Sequence, residues 1–553
     1  MSKRILFYTE PGFERDNPNV KNGWVQDWVP RLSRTLQQAF GDEYEGHLIT
    51  NTHLVKLVPD DSHLNVIAAQ QSDLYDLLGH DPLQDRIAAL GDKQHAKAAK
   101  QYGETIKSLC GSLKPDAIIS LSPAAHLRKA FKGVPLLHHE YGPFSRAPMP
   151  ETWYFDPAGT TGFAWPNHFG NRILKDITPE DVRAADVITD HYIKQVERLN
   201  PYMDLIDEAK GRFSQLALLP LPFLRHAYHE GFTPIHSQLQ LCIAVLERVG
   251  PEVGVFITSH GGGAAMDQAG IDYIKTEYPN AIWVDSDPIL SGPSQYFAPH
   301  VSQIITVSST VGALKLIWGN ALIVLNDRYM SAYADATPAA ASWPHRDAMG
   351  LDRRLEHLAW FYKHLALEAD LQDPNWMGPV MTTTLKSGGR HHPVPMLYSA
   401  DDQIERWTSA ITSQTASMMA QKFMAVVNSD DRKLSAAMQP YVREHVYAIT
   451  DLFLQHQTLF MLAIYTLHHC GEPQQAIADF DEMMRHAEQH ANPAFAHLYW
   501  HAEFNKLYAL KCMGKQAELR KKAKAFLEAK HKTFGPPFDE VRDRLHAELL
   551  TPA

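Results

Sequence analysis

Short apolar runs alternate with segments of helical period along the first part of the chain. The runs at residues 4–8, 116–122 and 134–139 are bounded by turn residues, and the segments 24–40 and 124–131 repeat apolar positions at helical spacing. Such runs are typical of buried strands, and such repeats of amphipathic helices. Strands that alternate with helices form parallel βαβ units, so the pattern predicts a Rossmann-like sheet.

The same alternation restarts near residue 212 and predicts a second Rossmann-like domain. Predicted strands occupy 212–221, 254–258, 281–285, 303–307 and 321–325, with predicted helices at 238–249, 269–278 and 311–318. Two such α/β domains facing each other across a cleft have a GT-B-type architecture. Open α/β sheets bind ligands at the carboxyl ends of their strands, so the residues that directly follow a strand are the candidates for chemistry.

From about residue 402 the hydrophobic pattern becomes almost continuously helical. Two stretches resemble each other, 467–471 and 510–514, and their glycines Gly471 and Gly514 lie 43 positions apart. This spacing is somewhat longer than a tetratricopeptide (TPR) unit, so a TPR-like stack and an irregular helical bundle both remain open. The predicted domain boundaries are 1–205, 206–400 and 401–553.

Composition and charge narrow the class of protein. The chain has 553 residues, 45% of them hydrophobic and 21% charged, which is typical of a globular protein with two or three domains. A net charge of -11 argues against nucleic acid as a partner, because a phosphate backbone requires a basic face. The N-terminal apolar run is too short for a signal peptide, and no stretch is long enough for a membrane span. We therefore expect a cytoplasmic protein, with peripheral attachment at the inner face of the membrane as an option.

The cysteines and histidines give no metal-ligand pattern. Four cysteines lie far apart and form no CxxC, which predicts free, buried thiols in a reducing compartment; they are Cys110, Cys242, Cys470 and Cys512. The 30 histidines include adjacent pairs but no HExxH. No metal ion or other cofactor is expected.

Small hydroxyl residues follow the strand predicted at 303–307. Ser308, Ser309 and Thr310 stand where a helix should begin, and Gly312 comes shortly after them. Free backbone N–H groups and the helix dipole at such a turn favour an anion, and a glycine lets a phosphate or ribose approach closely. An ordinary helix N-cap is the alternative, and three hydroxyls in a row favour the ligand site.

A second candidate begins at the end of the strand predicted at 134–139. Glu140 should lie on a loop with Gly142 and Arg146, facing the cleft. A carboxylate there is suited to deprotonate a sugar hydroxyl as a general base, and a nearby arginine is suited to adjust the pKa of that carboxylate. A cap or an ion pair is the alternative role for Glu140.

Two further strand ends carry polar residues. His260 precedes Gly261 and Gly262, whose backbone N–H groups would be open to a phosphate, with His260 assisting the leaving group. Asp287 follows the next predicted strand and would contact a ribose. A plain glycine turn and a loop cap are the alternatives at these two places.

These segments together resemble the bacterial capsule polysaccharide biosynthesis family, which includes β-Kdo transferases. The resemblance covers roughly residues 110–370 and lies in three segments: Glu140-Tyr-Gly142-Pro-Phe-Ser-Arg146, Ser309-Thr-Val-Gly312 and the helix predicted at 351–366. It implies a GT-B fold and a CMP-activated 2-keto sugar donor such as Kdo. It also implies that the Ser308–Thr310 turn contacts the nucleotide phosphate and that Glu140 lies beside the reacting sugar.

The sequence departs from the family where its retaining members carry a Pro-Leu-Gln segment followed by an Asp. Pro222 replaces the Gln, and His226 falls near the Asp position, while Tyr141 reduces the family's acid pair to one carboxyl. Inverting transfer with Glu140 as the base is therefore favoured over a covalent intermediate.

The leading hypothesis is a metal-independent glycosyltransferase that moves a sugar from a nucleotide donor to a glycan or glycolipid acceptor in surface polysaccharide synthesis. The alternatives are a transferase that uses a UDP- or GDP-sugar, and a non-catalytic nucleotide- or glycan-binding scaffold. The helical region is expected to dock a membrane or a partner of polysaccharide assembly.

Overall fold

The chain forms two compact units, Met1–Thr408 and Ser409–Ala553. The computed structural model describes residues 2–12, 19–70, 72, 74, 96–122, 124–159, 164–222, 233, 235, 237–259, 266–285, 292–326, 330–388, 397–490, 496–529 and 537–545. The first unit is mixed α/β and the second is helical, which confirms the predicted fold class at this level.

Two sheets organise the first unit. Their strands are β1 (Lys3–Tyr8), β2 (Tyr44–Asn51), β3 (Leu64–Ala69), β4 (Ala117–Ser120), β5 (Leu136–Tyr141), β6 (Thr152–Asp156), β7 (Gln215–Pro220), β8 (Val253–Thr258), β9 (Ala281–Val284), β10 (Gln303–Thr306), β11 (Ala321–Val324) and β12 (Leu365–Leu367). The first sheet has the order β12-β6-β5-β4-β1-β2-β3, and the second has the order β11-β10-β7-β8-β9.

The parallel strands of the two sheets follow the same order across the sheet. In the first sheet β1 to β5 are parallel, and in the second all five strands are parallel. If the five parallel strands of each sheet are renumbered 1 to 5 along the chain, their order across the sheet is 3-2-1-4-5. Such an order reverses beside its first strand, which is where open α/β sheets bind ligands.

Helices cover the faces of the sheets. In the first unit the α-helices are Asn19–Gly23, Val29–Phe40, Ala96–Leu109, Ala125–Ala130, Trp165–Phe169, Pro179–Leu199, Met203–Arg212, Gln238–Val249, Gln268–Glu277, Ser294–Phe297, Lys315–Trp318, Leu351–His364, Glu368–Leu371 and Pro374–Lys386. Short 3₁₀ turns include Thr310–Leu314 and Ser331–Tyr333. The predicted helix 311–318 is thus a 3₁₀ turn followed by one α-helical turn, and the predicted helix 24–40 begins as a π-helix at Trp24–Trp28.

The chain returns to the first sheet after completing the second. β12 pairs antiparallel with β6, although it lies inside the predicted range 206–400. The helix Pro374–Lys386 follows it, and Trp376 and Met377 are buried in the core that β1 and β2 also form. The predicted boundaries and the GT-B type remain predictions.

The helical unit continues from the long helix Ala400–Asn428. Its further helices are Arg432–His445, Leu452–His468, Pro473–His490, Ala496–Cys512, Gln516–Ala529 and Pro537–Arg544. A buried carboxylate joins three of them, because Asp479 accepts hydrogen bonds from Arg443 (2.8 and 2.9 Å) and Thr466 (2.9 Å). Among the described helices, none has both the length and the apolar character needed to cross a bilayer.

The two similar stretches of the helical unit have the same local geometry. Gly471 and Gly514 both adopt positive φ angles, 69° and 70°, directly after a helix, where glycine carries no steric penalty. The TPR-like arrangement itself remains a prediction. All four cysteines are free, but only Cys110 and Cys242 are buried. The prediction of buried thiols was wrong for Cys470, which comes after the helix Leu452–His468, and for Cys512, which ends the helix Ala496–Cys512; both are exposed.

Candidate functional site

A cavity of about 330 Å³ lies in the first unit between the end of β5 and the turn after β10. Seven aromatic residues line it, which are Tyr141, Tyr154, Phe155, Trp165, Tyr333, Trp360 and Phe361. Its ionisable side chains are Glu140, Arg146, Glu151, Asp156 and His364. A mostly apolar wall with a few converging polar groups is typical of a small-molecule site.

Glu140 is positioned by the antiparallel pair of β5 and β6. It stands opposite Tyr154 in the register, and both residues lie on the face of the sheet that forms the cavity. The Tyr154 hydroxyl donates a hydrogen bond to Glu140 Oε2 (3.0 Å). This bond orients a partly buried carboxylate at the cavity wall, as a general base requires.

Arg146 connects the loop after β5 to the turn after β10. One guanidinium nitrogen donates to the Pro143 carbonyl oxygen (3.0 Å), and the other donates to the Thr310 hydroxyl. The guanidinium is thereby held in one orientation at the cavity, although Thr310 is 164 residues away in sequence. A fixed arginine fork is well suited to a phosphate or a carboxylate.

Gly142 is explained by a close approach between strands. A Cβ atom there would lie 2.1 Å from Thr152 Oγ1, so no larger residue fits without moving β6. The Gly142 N–H donates to the Thr152 carbonyl oxygen (2.7 Å). Gly142 lines the cavity, but steric fit alone accounts for the residue type.

The hydroxyl turn is only partly directed at the cavity. Thr310 lines it, whereas Ser308 and Ser309 are partly buried beside it without lining it. Ser309 Oγ accepts a hydrogen bond from the Val311 N–H (3.3 Å), which is an ordinary N-cap contact. Gly312 is buried, and a Cβ there would lie 3.0 Å from Leu322 Cδ1, so packing against β11 accounts for this glycine.

Several predicted site residues lie outside the described residues. They are His260, Gly261, Gly262 and Asp287, and the expected nucleophile position at His226 lies outside them as well. Their assignments remain predictions. Within the part of the chain that the structure describes, no group of three or more His, Cys, Asp and Glu side chains is arranged to hold a metal ion.

Asp156, at the end of β6, is a cavity residue that the sequence patterns did not indicate. Its carboxylate accepts three backbone N–H bonds, from Ala158 (2.7 Å), Gly159 (3.0 Å) and Trp165 (2.7 Å). It therefore ties the segment that carries Trp165 to the end of β6. Burial raises the pKa of Asp156 to about 6, and the three N–H bonds oppose that rise. An Asp-Pro pair at a strand end was the only local signal for it.

Replacing Asp156 by Asn should change how stability depends on pH. Because burial raises this pKa from 3.8 to about 6, the folded protein holds the proton to a higher pH than the unfolded chain does. Protonation of Asp156 therefore favours folding below about pH 4, and this contribution is lost as the pH rises to about 6. Relative to Asp156→Asn, the wild type should lose about 2 kcal/mol of unfolding free energy between about pH 4 and pH 7. Urea unfolding of both proteins at the two pH values measures the difference, and a constant difference would contradict the assignment.

The sequence matches no protein-family profile and no curated protein. Solved structures that resemble the chain at low similarity include the following three. KpsC from Thermosulfurimonas dismutans, a beta Kdo 2,7 transferase, is 15% identical over 48% of this chain and 82% of its own, with a TM-score of 0.33. The beta Kdo 2,4 transferase of KpsC from the same organism is 16% identical over 53% of this chain and 87% of its own, with a TM-score of 0.28.

UDP-GlcNAc 2-epimerase from Neisseria meningitidis is 13% identical over 69% of this chain and 100% of its own, with a TM-score of 0.28. At these identities and TM-scores, none of the three similarities decides the fold or the activity of this chain. The candidate site is therefore defined by its own geometry.

Proposed function

We propose that the cavity is the active site of a GT-B-type glycosyltransferase that moves a sugar from a nucleotide donor to a glycan or glycolipid acceptor. One observation carries the proposal: Arg146 binds Thr310 while Glu140 lies in the same cavity. Two different segments of the motif resemblance meet in this cavity. One segment contributes Glu140 and Arg146, and the other contributes Thr310.

The donor that the motif resemblance favours is a CMP-activated 2-keto sugar such as Kdo. The Arg146 guanidinium would offset the negative charge that grows on the departing phosphate as the bond between sugar and phosphate breaks. Glu140 would accept the proton of the acceptor hydroxyl as the new glycosidic bond forms. The aromatic walls would contact the apolar faces of a sugar ring, and the volume is within the range of small-ligand sites.

The remaining parts of the proposal follow the sequence. We expect metal-independent inverting transfer in the cytoplasm, with the helical unit docking a membrane surface or a partner of polysaccharide assembly. Gly261, Gly262 and Asp287 are proposed nucleotide contacts, and His260 is proposed to assist the departure of the leaving group. His226 at the position where the family would place its Asp also favours a second candidate, a nucleotide- or glycan-binding scaffold without turnover.

The deciding experiment measures donor hydrolysis and thermal stabilisation with one panel of ligands. CMP-Kdo, CMP-sialic acid and UDP- and GDP-sugars are tested as donors, and CMP, UDP and GDP as ligands. We expect turnover of a CMP-sugar and a rise in melting temperature with CMP.

Arg146→Met should reduce both effects. Arg183→Met is the control, since Arg183 forms an exposed ion pair with Asp401 and should leave both unchanged. Stabilisation by a nucleotide without turnover of any donor would favour the scaffold, and neither effect with any ligand would refute both candidates.

A further inference from the structure

His364 lines the cavity and carries one defined hydrogen-bond acceptor. It ends the helix Leu351–His364, and its Nδ1–H donates to the Trp360 carbonyl oxygen (2.8 Å). A carbonyl oxygen only accepts, so Nδ1 carries the proton and Nε2 of the neutral ring carries a lone pair. The ring is stacked on Trp360, with centroids 4.4 Å apart, and this contact fixes its orientation.

The ring of His364 stays neutral at physiological pH. Burial lowers its pKa to about 4, against the opposing effect of the bond to the Trp360 carbonyl. Nε2 has no hydrogen-bond partner among the described residues, and His364 lines the cavity. An acceptor that is neutral and uncommitted is suited to a ligand hydroxyl, whereas Arg146 has only donors to offer.

The strand register places His364 at the opposite end of the cavity floor from Glu140. Leu365 on β12 is paired with Tyr154 on β6, and Tyr154 is paired with Glu140 on β5. All three residues line the cavity, and His364 directly precedes Leu365. Leu365 and Glu140 are therefore two strand spacings apart across the sheet, which is about 10 Å between their backbones. The span leaves room for one sugar ring.

We propose that His364 is a specificity-determining residue whose Nε2 accepts a hydrogen bond from a hydroxyl of the transferred sugar, on the side of the ring away from Glu140. The proposal rests on the proposed function and adds the position of the sugar in the cavity. The nucleotide would lie toward Arg146 and Thr310 and would not contact His364. Loss of the acceptor should therefore weaken binding of a nucleotide sugar but not of the free nucleotide.

Two substitutions separate the acceptor from the structural role of the ring. His364→Asn keeps a donor near Nδ1 for the Trp360 carbonyl and removes Nε2, whereas His364→Gln places an amide oxygen near Nε2. Affinities for CMP-Kdo and CMP are measured by calorimetry on the full chain. We expect His364→Asn to bind CMP-Kdo about tenfold more weakly and CMP unchanged within about twofold, with His364→Gln recovering most of the loss.

His345→Asn is the control, since His345 is exposed and lies outside the cavity lining. Equal CMP-Kdo affinity in His364→Asn and the wild type would overturn the inference and leave the proposed function intact. Equal losses for CMP-Kdo and CMP, with a lower melting temperature in both His364 variants, would mark a structural role and overturn it as well.

If CMP-Kdo does not bind the wild type, the same comparison is made with CMP-sialic acid, UDP- and GDP-sugars and their free nucleotides. Binding of none of them would overturn both the inference and the proposed function.

Discussion

Lys315→Met is expected to lower the free energy of unfolding of the first unit by about 3–5 kcal/mol. Lys315 follows the Thr310–Leu314 turn, and its side chain is only 1% exposed. Its ammonium group lies 2.6 Å from an Asp335 carboxylate oxygen and 2.9 Å from one of Asp347. Both carboxylates are buried, so removal of the cation leaves Asp335 without this ion pair and Asp347 with Arg354 as its remaining one.

Loss of the Lys315 ammonium group should also disturb the wall of the cavity. Lys315 Nζ donates to the Tyr333 carbonyl oxygen (2.8 Å), and Tyr333 forms part of the cavity wall. Asp335 in turn accepts the Leu322 N–H (2.7 Å) and thereby fixes the segment against β11. The Lys315 ammonium group therefore connects the helix Lys315–Trp318 to Tyr333 in the cavity wall.

Chemical unfolding followed by tryptophan fluorescence measures the effect. Lys194→Met is a matched control, because Lys194 lies at the same 2.6 Å from Asp190 in a pair that is 65% and 60% exposed. This exposed pair should contribute no more than about 1 kcal/mol. The double variant Lys315→Met/Asp335→Asn should be more stable than Lys315→Met, since it neutralises the buried carboxylate whose described ion pair is with Lys315. A Lys315→Met protein as stable as the Lys194→Met protein would contradict the argument.

Glu140→Gln is expected to reduce kcat/KM for sugar transfer by roughly 100- to 10,000-fold, which is the usual contribution of a general base. Glutamine preserves the size of the side chain and an oxygen for the Tyr154 hydroxyl, but it cannot accept the proton of the acceptor. The loss should fall on kcat more than on KM, because the proton moves in the transition state.

Steady-state kinetics with the donor that the panel identifies measures this loss. Glu151→Gln is the control, since Glu151 also lines the cavity but is exposed. It should change kcat/KM by less than about tenfold. Similar losses in the two variants would mean that the total charge of the cavity matters and not Glu140 in particular. Full activity of Glu140→Gln would show that Glu140 is not the general base, although the protein would still be a transferase.

The strands that the sequence predicts are those with continuous apolar runs. β4 and the first four residues of β5 are buried, and both strands were predicted. β2 interrupts its apolar residues with Glu45 and His47, and β12 has three residues that continue the helical period of Leu351–His364. A strand of three residues such as β12 is too short for a period of two to be recognised.

The composition of the cavity depends on contacts that no local pattern encodes. Glu140 and Thr310 stand at strand ends, where sequence reasoning looks for ligand contacts. Asp156 is brought to the cavity by the pairing of β6 with β5, and His364 by the pairing of β12 with β6, a contact between segments more than 200 residues apart. A single sequence carries no signal for such a pairing, so these residues could be found only in the folded chain.

The return of β12 also bears on how the protein can be divided into fragments. The segment that carries the second sheet is an insertion between two neighbouring strands of the first, β6 and β12. A fragment that stops at residue 205 would lack β12 and the core residues Trp376 and Met377, and it would expose the backbone edge of β6. Open strand edges promote aggregation. An autonomous version of the first sheet therefore needs residues 1–159 joined to residues 351–388, with the insertion replaced by a short linker.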